Sequence, residues 1–323
     1  MSGFENARAK LWSAVFADTL EPKLVAKAFV NGDITQTSEI LQYGDTVHVN
    51  TLGPVNVFDY TENTEMSTLQ ILESADATLA IDKKKAFNFF VDDIDEKQVR
   101  PEIMEKAMEN SAVAVAKKID TDIFTCIKGA VPEGNTIGYA VPIQVTANNI
   151  YDNIIKLKVI LDENNVPDEG RKLAVRPEVE GLLLNDNRFV AAGVPQSEQR
   201  LETGLVLRAL GFDIYKSNNV PAGKIIASVP LATTHVHQLS KFSTYEPENL
   251  FGTACKGLNV YGTKTFYPAA TAMINYTLDE YDLVESPSGN PASKGYYEID
   301  TNHEFVLTED TSVTANKDYY EKK

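Results

Sequence analysis

Cysteine is nearly absent from this chain: Cys126 and Cys255 are the only two in 323 residues. They stand far apart and match no metal or redox spacing, so neither a disulfide framework nor a cysteine-built zinc site organises the fold, and reduced thiols are expected. Long apolar runs are also missing. No segment approaches the roughly 20 residues that would span a bilayer, so no membrane partner is expected. The opening Met1-Ser-Gly-Phe-Glu-Asn-Ala-Arg8 has no basic region followed by an apolar stretch, so no signal peptide is visible. Positive charge is short: 30 basic residues against 46 acidic give −16. A protein that grips nucleic acid needs a basic footprint to displace counterions, and this chain lacks one. The single basic run, Lys83-Lys84-Lys85, reads as a solvated turn or a charge partner for an acidic neighbour.

Chemical signatures are equally scarce. There is no phosphate loop, no dinucleotide fingerprint and no nucleophile elbow, and Gly223-Lys224 is followed by Ile225 rather than Ser or Thr. Four histidines occur, and His235-x-His237 is the sharpest metal candidate. On a strand the two would share a face; on a helix they would diverge. Zinc takes three or four ligands, and His48 and His303 sit in separate segments, so the pair reads as ordinary surface or interface histidines. Asp92-Asp93-Ile94-Asp95-Glu96 could hold Mg²⁺, but it stands at a break between a strand and a helix, where carboxylates solvate a corner. No cofactor is expected, and nothing in the set assembles an active site.

What the chain does have is pattern. Residues 4–29 carry a helical pattern and read as a leading arm. From Gly44 the period changes to two, through Val47, Val49, Val55, Val57, Leu79, Ile81, Phe87, Phe89 and Val91. Thr61 to Asp76 between them is polar and reads as loop. This β-excursion has little core of its own and is marginal in water unless something covers its apolar face. A long helix follows from Pro101 to Lys128, on the stripe Met104, Met108, Ala112, Val115, Ile119, Ile123 and Ile127. At 1.5 Å per residue it is a rod of about 42 Å.

Downstream, helix and strand patterns alternate. A helix is expected over 148–163, a strand over 173–175, a short helix from Pro177 to Leu184 and another over Leu205–Leu210. Strands are expected over 211–217, 225–229 and 258–267, with a short helix over 232–240. The alternation defines an α+β body. Asn-Asn-Val-Pro occurs twice in it, at Asn164-Asn165-Val166-Pro167 and Asn218-Asn219-Val220-Pro221. Each copy leads to a Gly and a basic residue, Gly170-Arg171 and Gly223-Lys224, then to a short apolar run closed by Pro. Each reads as a corner that launches a strand. Residues 286–293 read as a linker. From Asp279 onward there are 11 acidic and 4 basic residues, a net of −7 that leaves −9 for the first 278. This tail reads as a small β-appendage.

The order of these pieces resembles the major capsid protein of tailed bacteriophages, with the Hong Kong 97-type fold. The resemblance rests on Tyr43-Gly-Asp-Thr-Val-His-Val49, on Ile81-Asp82 through Phe89-Phe-Val-Asp-Asp-Ile-Asp95 and Gln98, and on Ala116-Lys-Lys-Ile-Asp120. It continues in Leu161 through Pro177, Gly211 through Pro221 and Gly257-Leu-x-Val-Tyr-Gly262. It implies an N-terminal arm (1–43), an extended β loop lying across a neighbouring subunit (44–91) and a peripheral domain with a spine helix (92–146). An axial domain (147–255), a return to the peripheral domain (256–280) and a linker with a small β module (281–323) complete the expected layout. Asn164, Asn165, Pro167, Gly170, Arg171, Asn218, Asn219 and Pro221 would be axial-domain signature residues. The implied function is non-enzymatic: self-assembly through pentamers and hexamers into an icosahedral head that encloses double-stranded DNA without binding it tightly. The implied place is the virion, after assembly in the host cytoplasm. A portal and head accessory proteins are implied partners, and a separate scaffolding protein is implied because no long segment precedes the arm. An encapsulin-type compartment of the same fold is the alternative, and a soluble metal-dependent enzyme using His235 and His237 is a rival of another class.

Overall fold

The computed structural model describes residues 16, 19–20, 24–32, 46–52, 74–92, 103–185, 205–249, 251–279, 281–283, 297–299, 305–307 and 320–322. The expected elements at residues 53–73, Asp93–Glu96 and 286–293 lie outside this set.

Two strands, β1 (Thr46–Leu52) and β2 (Ser74–Ala80), pair antiparallel as a two-stranded ribbon, with Leu52 opposite Ser74. After Ile81 and Asp82 the chain turns into β3 (Lys83–Asp92) and then α1 (Ile103–Ala130), 28 residues long. The apolar stripe accounts for this helix. Met108, Ala112, Val115, Ile119, Ile123 and Ile127 are all buried, while Glu109, Lys117, Thr121 and Thr125 on the other side meet solvent. Short strands β4 (Thr136–Ile137) and β5 (Ile143–Gln144) lead to α2 (Ile150–Glu163), β6 (Lys172–Val175) and α3 (Pro177–Asn185). Then come β7 (Leu205–Ala209), β8 (Phe212–Lys216), β9 (Lys224–Ser228), β10 (Thr233–Tyr245), β11 (Gly252–Thr265) and β12 (Thr271–Thr277). Four short strands close the chain, β13 (Tyr281–Leu283), β14 (Tyr297–Ile299), β15 (Phe305–Leu307) and β16 (Tyr320–Lys322), in one small sheet of order β13-β16-β14-β15.

Two larger sheets carry the body. One is three-stranded, β10-β11-β3; the other is mixed and seven-stranded, β4-β12-β9-β6-β8-β7, with β5 also on β12. The seven-stranded sheet is buried on both faces, and successive side chains divide between two cores. On β9, Ile226 packs with α1, while Ile225 and Ala227 pack with α2. Ala174 and Leu173 on β6, and Met273 and Ile274 on β12, divide in the same way. This double burial explains the unbroken apolar run of β9. The result is an α+β fold.

Two expectations change. Residues 205–210 are a strand, not a helix: Leu210 and Gly211 take φ of 55° and 82°, which folds β7 back on β8 as a tight hairpin. Residues 232–240 are not helical either; β-branched Thr233, Thr234 and Val236 lie in β10, paired with β11 across to Thr265. Strand β11 runs through residues 255 and 256, and β12 lies in the seven-stranded sheet.

Candidate assembly site: the ribbon root and the buried turns

The ribbon leaves the body across the open face of the three-stranded sheet. At its root Leu79 and Ile81 are buried against Val236 and Val260, with Leu258 and Phe266 beside them. Space for the crossing comes from Gly262, where a Cβ would stand 2.4 Å from the Ala80 carbonyl oxygen and 3.0 Å from a Leu79 methyl. Lys264 Nζ donates to the Thr78 carbonyl at 2.7 Å. Beyond this root the ribbon pairs only with itself among the described strands. A two-stranded ribbon is marginal alone, so its root must hold it or another surface must cover it.

The opposite face of the sheet packs on α1 through Val91, Cys255 and Tyr261, and polar groups join the same contact. Tyr261 OH donates to Asp122, whose carboxylate also lies 3.8 Å from both Lys83 and Lys85. Burial and the neighbouring carboxylate raise the Tyr261 hydroxyl far above its ordinary range. Of the lysine run, Lys83 and Lys85 therefore face Asp122, while Lys84 projects from the other side. His235 and His237 share this inner face, as two residues of a strand should, with rings stacked 5.5 Å apart. His235 Nδ1 is 2.8 Å from Thr263 Oγ1, and burial beside His237 depresses its pKa to about 3. Among the described residues no third ligand joins the pair, and no group of three His, Cys, Asp or Glu is placed to hold a metal ion. Cys126, on α1, donates to the Thr263 carbonyl, and Cys255 is buried; neither is in a disulfide.

The two Asn-Asn-Val-Pro segments are corners of different construction. In the first, Asn165 takes the left-handed conformation (φ 56°) after α2. Val166 N–H returns to Leu161 O and Asn165 N–H to Asp162 O, which satisfies the last carbonyls of the helix. Gly170 (φ 75°) then turns the chain so that Arg171 is buried beneath the corner. Its guanidinium donates to the Pro167 and Val166 carbonyls and to Asp162 Oδ1, and lies 3.3 Å from Asp168. Asn164 donates to Asn135 at 3.0 Å, and Asn135 donates to the Thr271 carbonyl, joining the corner to β12.

In the second corner, Asn219 N–H donates to Ser217 Oγ and its side chain donates to Asp120 of α1. Arg176 NH1 donates to the Val220 carbonyl at 2.9 Å. Gly223 (φ 63°) precedes Lys224, which is buried as Arg171 is. The strands launched by the two corners, β6 and β9, are antiparallel neighbours, with Lys172 opposite Ser228. Sequence reading missed Asp120, Asp122 and Gly262 as structural joints. Asp120 and Gly262 each end a segment that carries the family resemblance, but nothing local marked either as a joint.

The sequence profile of the family described as phage capsid protein matches residues 75–277. That span runs from the ribbon to the end of β12. Among solved structures, the chain is similar to one from Mycobacterium phage Che8, with 24% identity, a TM-score of 0.61, and coverage of 78% of this chain and 90% of that one. It is also similar to the capsid structure of cyanophage P-SCSP1u, with 19% identity, a TM-score of 0.57 and coverage of 73% and 85%. A chain from the virus-like particle of Pyrococcus furiosus shares 13% identity at a TM-score of 0.50, with coverage of 81% and 96%. No curated protein matches the sequence significantly. The fold is that of the Hong Kong 97-type shell subunits. The chain belongs to the phage capsid protein family, and its place is the virion capsid.

Proposed function

We propose that this major capsid subunit completes its fold only in the shell, with the β1–β2 ribbon lying across a neighbouring subunit. The observation that carries this is the ribbon itself: a paired two-stranded element anchored by Leu79 and Ile81, with no third strand among those described. In this reading β3, α1 and the strands beside them form the peripheral region, and α2, α3 and the seven-stranded sheet form the axial region around the vertices. The two corners set the relative positions of β6 and β9 within it. The tail from residue 281 is an appended module outside the matched span of the family.

The subunit works by self-assembly and performs no catalysis. Its acidic balance lets it enclose DNA without holding it. A scaffolding protein, a portal and head accessory proteins are its expected partners. Purified full-length protein, alone and with the scaffolding partner, should give capsomers or shells by sedimentation and negative-stain microscopy. A compact monomer under all these conditions would contradict the reading.

A further inference from the structure

Asp120 is a fully buried carboxylate with no cationic partner among the described residues, and it joins three separate pieces of the chain. It stands on α1. Oδ2 accepts from Val25 N–H at 3.2 Å and from Asn219 Nδ2 at 3.2 Å, and Oδ1 accepts from Ala26 N–H at 3.1 Å. Val25 and Ala26 open a strap, residues 24–32, that crosses the molecule from the helix to both sheets. Phe29 is buried edge-on to Phe124 of α1 and to Tyr215 of β8, with ring centroids 5.5 and 5.4 Å apart. Lys172 of β6 donates to the Ala28 carbonyl at 2.7 Å. Asn31 N–H donates to Thr233 O, and His235 N–H donates to Asn31 O, on β10. One short segment therefore touches the helix, the seven-stranded sheet and the three-stranded sheet.

We propose that Asp120 is a proton-linked latch for this strap, and that the strap closes more firmly on α1 and the second corner when Asp120 takes up a proton. With the strap down, water is shut away from the carboxylate, and an ionised group there has three donors but no counter-charge among the described residues. Among the described residues, the ionisable groups on the surrounding elements are Lys27 on the strap, Lys172 on β6, Tyr215 on β8, and Arg176 and Lys224 beside the corner. None forms an ion pair with Asp120. Lys172 is instead spent on Ala28 O, and Arg176 on the corner carbonyls. Burial thus outweighs the three hydrogen bonds and raises the carboxyl to about 6. When the strap opens locally, the group meets water and its affinity for the proton falls toward that of a free carboxyl. The closed state binds the proton more tightly, so acid favours closure. The consequence is a grip between helix and sheets that tightens as pH falls from about 6 towards 4.

Hydrogen exchange at Val25 and Ala26 in the assembled full-length protein, corrected for the intrinsic pH dependence, reads the latch directly. Protection should rise on the order of twentyfold from pH 7.5 to 4.5. In Asp120→Asn the profile should be flat. In Asn219→Ala, which removes one donor to the ionised form, the midpoint should move up in pH. That variant keeps the test alive if Asp120→Asn fails to fold. Protection that is independent of pH in the wild type, an unchanged slope in Asp120→Asn, or an unmoved midpoint in Asn219→Ala would each overturn the proposal. None of these outcomes depends on whether the ribbon lies on a neighbour.

Discussion

Gly262 lies directly under Ala80: a Cβ at residue 262 would meet the Ala80 carbonyl oxygen at 2.4 Å, a distance no real side chain tolerates. The ribbon can cross β11 only because that position is bare. Gly262→Val should therefore push the stem off the sheet and unseat Leu79 and Ile81. The expected result is a subunit destabilised by about 1–3 kcal/mol, with a much larger loss of assembly. Denaturant unfolding of the subunit beside a sedimentation assay of assembly checks this. A variant that assembles like the wild type would show that the crossing does not matter.

Arg171 is the hub of the first corner. Arg171→Met keeps much of the volume but strands the Val166 and Pro167 carbonyls without their donor. Asp162 is about half exposed and rehydrates, so the penalty comes mainly from those carbonyls. A loss of about 2–4 kcal/mol in chemical denaturation is expected. A change below about 0.5 kcal/mol would mean that Arg171 is not holding the corner.

Asn165 caps α2 in the left-handed region. Asn165→Gly should leave stability within about 0.5 kcal/mol of wild type, whereas Asn165→Val should cost about 1–2 kcal/mol because a β-branched residue resists that conformation. Equal effects from the two substitutions would rule out backbone conformation as the cause.

His235 gives a pH dependence of defined sign. Its folded pKa, near 3, lies below the ordinary 6.5, so the fold favours the neutral ring. The stability it contributes is complete above 6.5 and is lost as pH falls from 6.5 towards 3, by up to about 1.4 kcal/mol per pH unit. His235→Gln should remove this component, so its stability relative to wild type should improve steadily from pH 6.5 to 4.5 in thermal melts. A constant difference across that range would be incompatible with a buried neutral histidine. Asp120 acts in the opposite sense over an overlapping range, which is why the comparison must be between variant and wild type.

Legibility in the sequence followed the range of the forces involved. The stripe from Met108 to Ile127 is a local periodicity, and α1 formed on it. The Gly-then-cation pattern after each Asn-Asn-Val-Pro was also local, and Arg171 and Lys224 are buried in corresponding places. The misread segments are those where tertiary pairing overrides local preference. Leu205–Ala209 has helix-forming residues but is committed to a strand by the Leu210-Gly211 hairpin, and Thr233–Tyr245 by its long pairing with β11. The joints were the least visible. Asp120 meets partners 94 to 99 residues away, and Gly262 is explained only by a strand far upstream. The matching tetrapeptides also hide different chemistry: Asn165 serves by its backbone, Asn219 by its side chain.

In the proposed function, the ribbon serves the shell rather than the subunit. Leu52 and Ser74 are directly opposed, so replacing residues 53–73 by Asn-Gly would close the ribbon as a tight hairpin without disturbing its root. The decisive measurement is the thermal stability and assembly of this shortened protein side by side. The expected result is a melting temperature within a few degrees of the full chain and loss of shells by sedimentation velocity. Shells formed with wild-type yield, or a subunit that no longer folds, would contradict it.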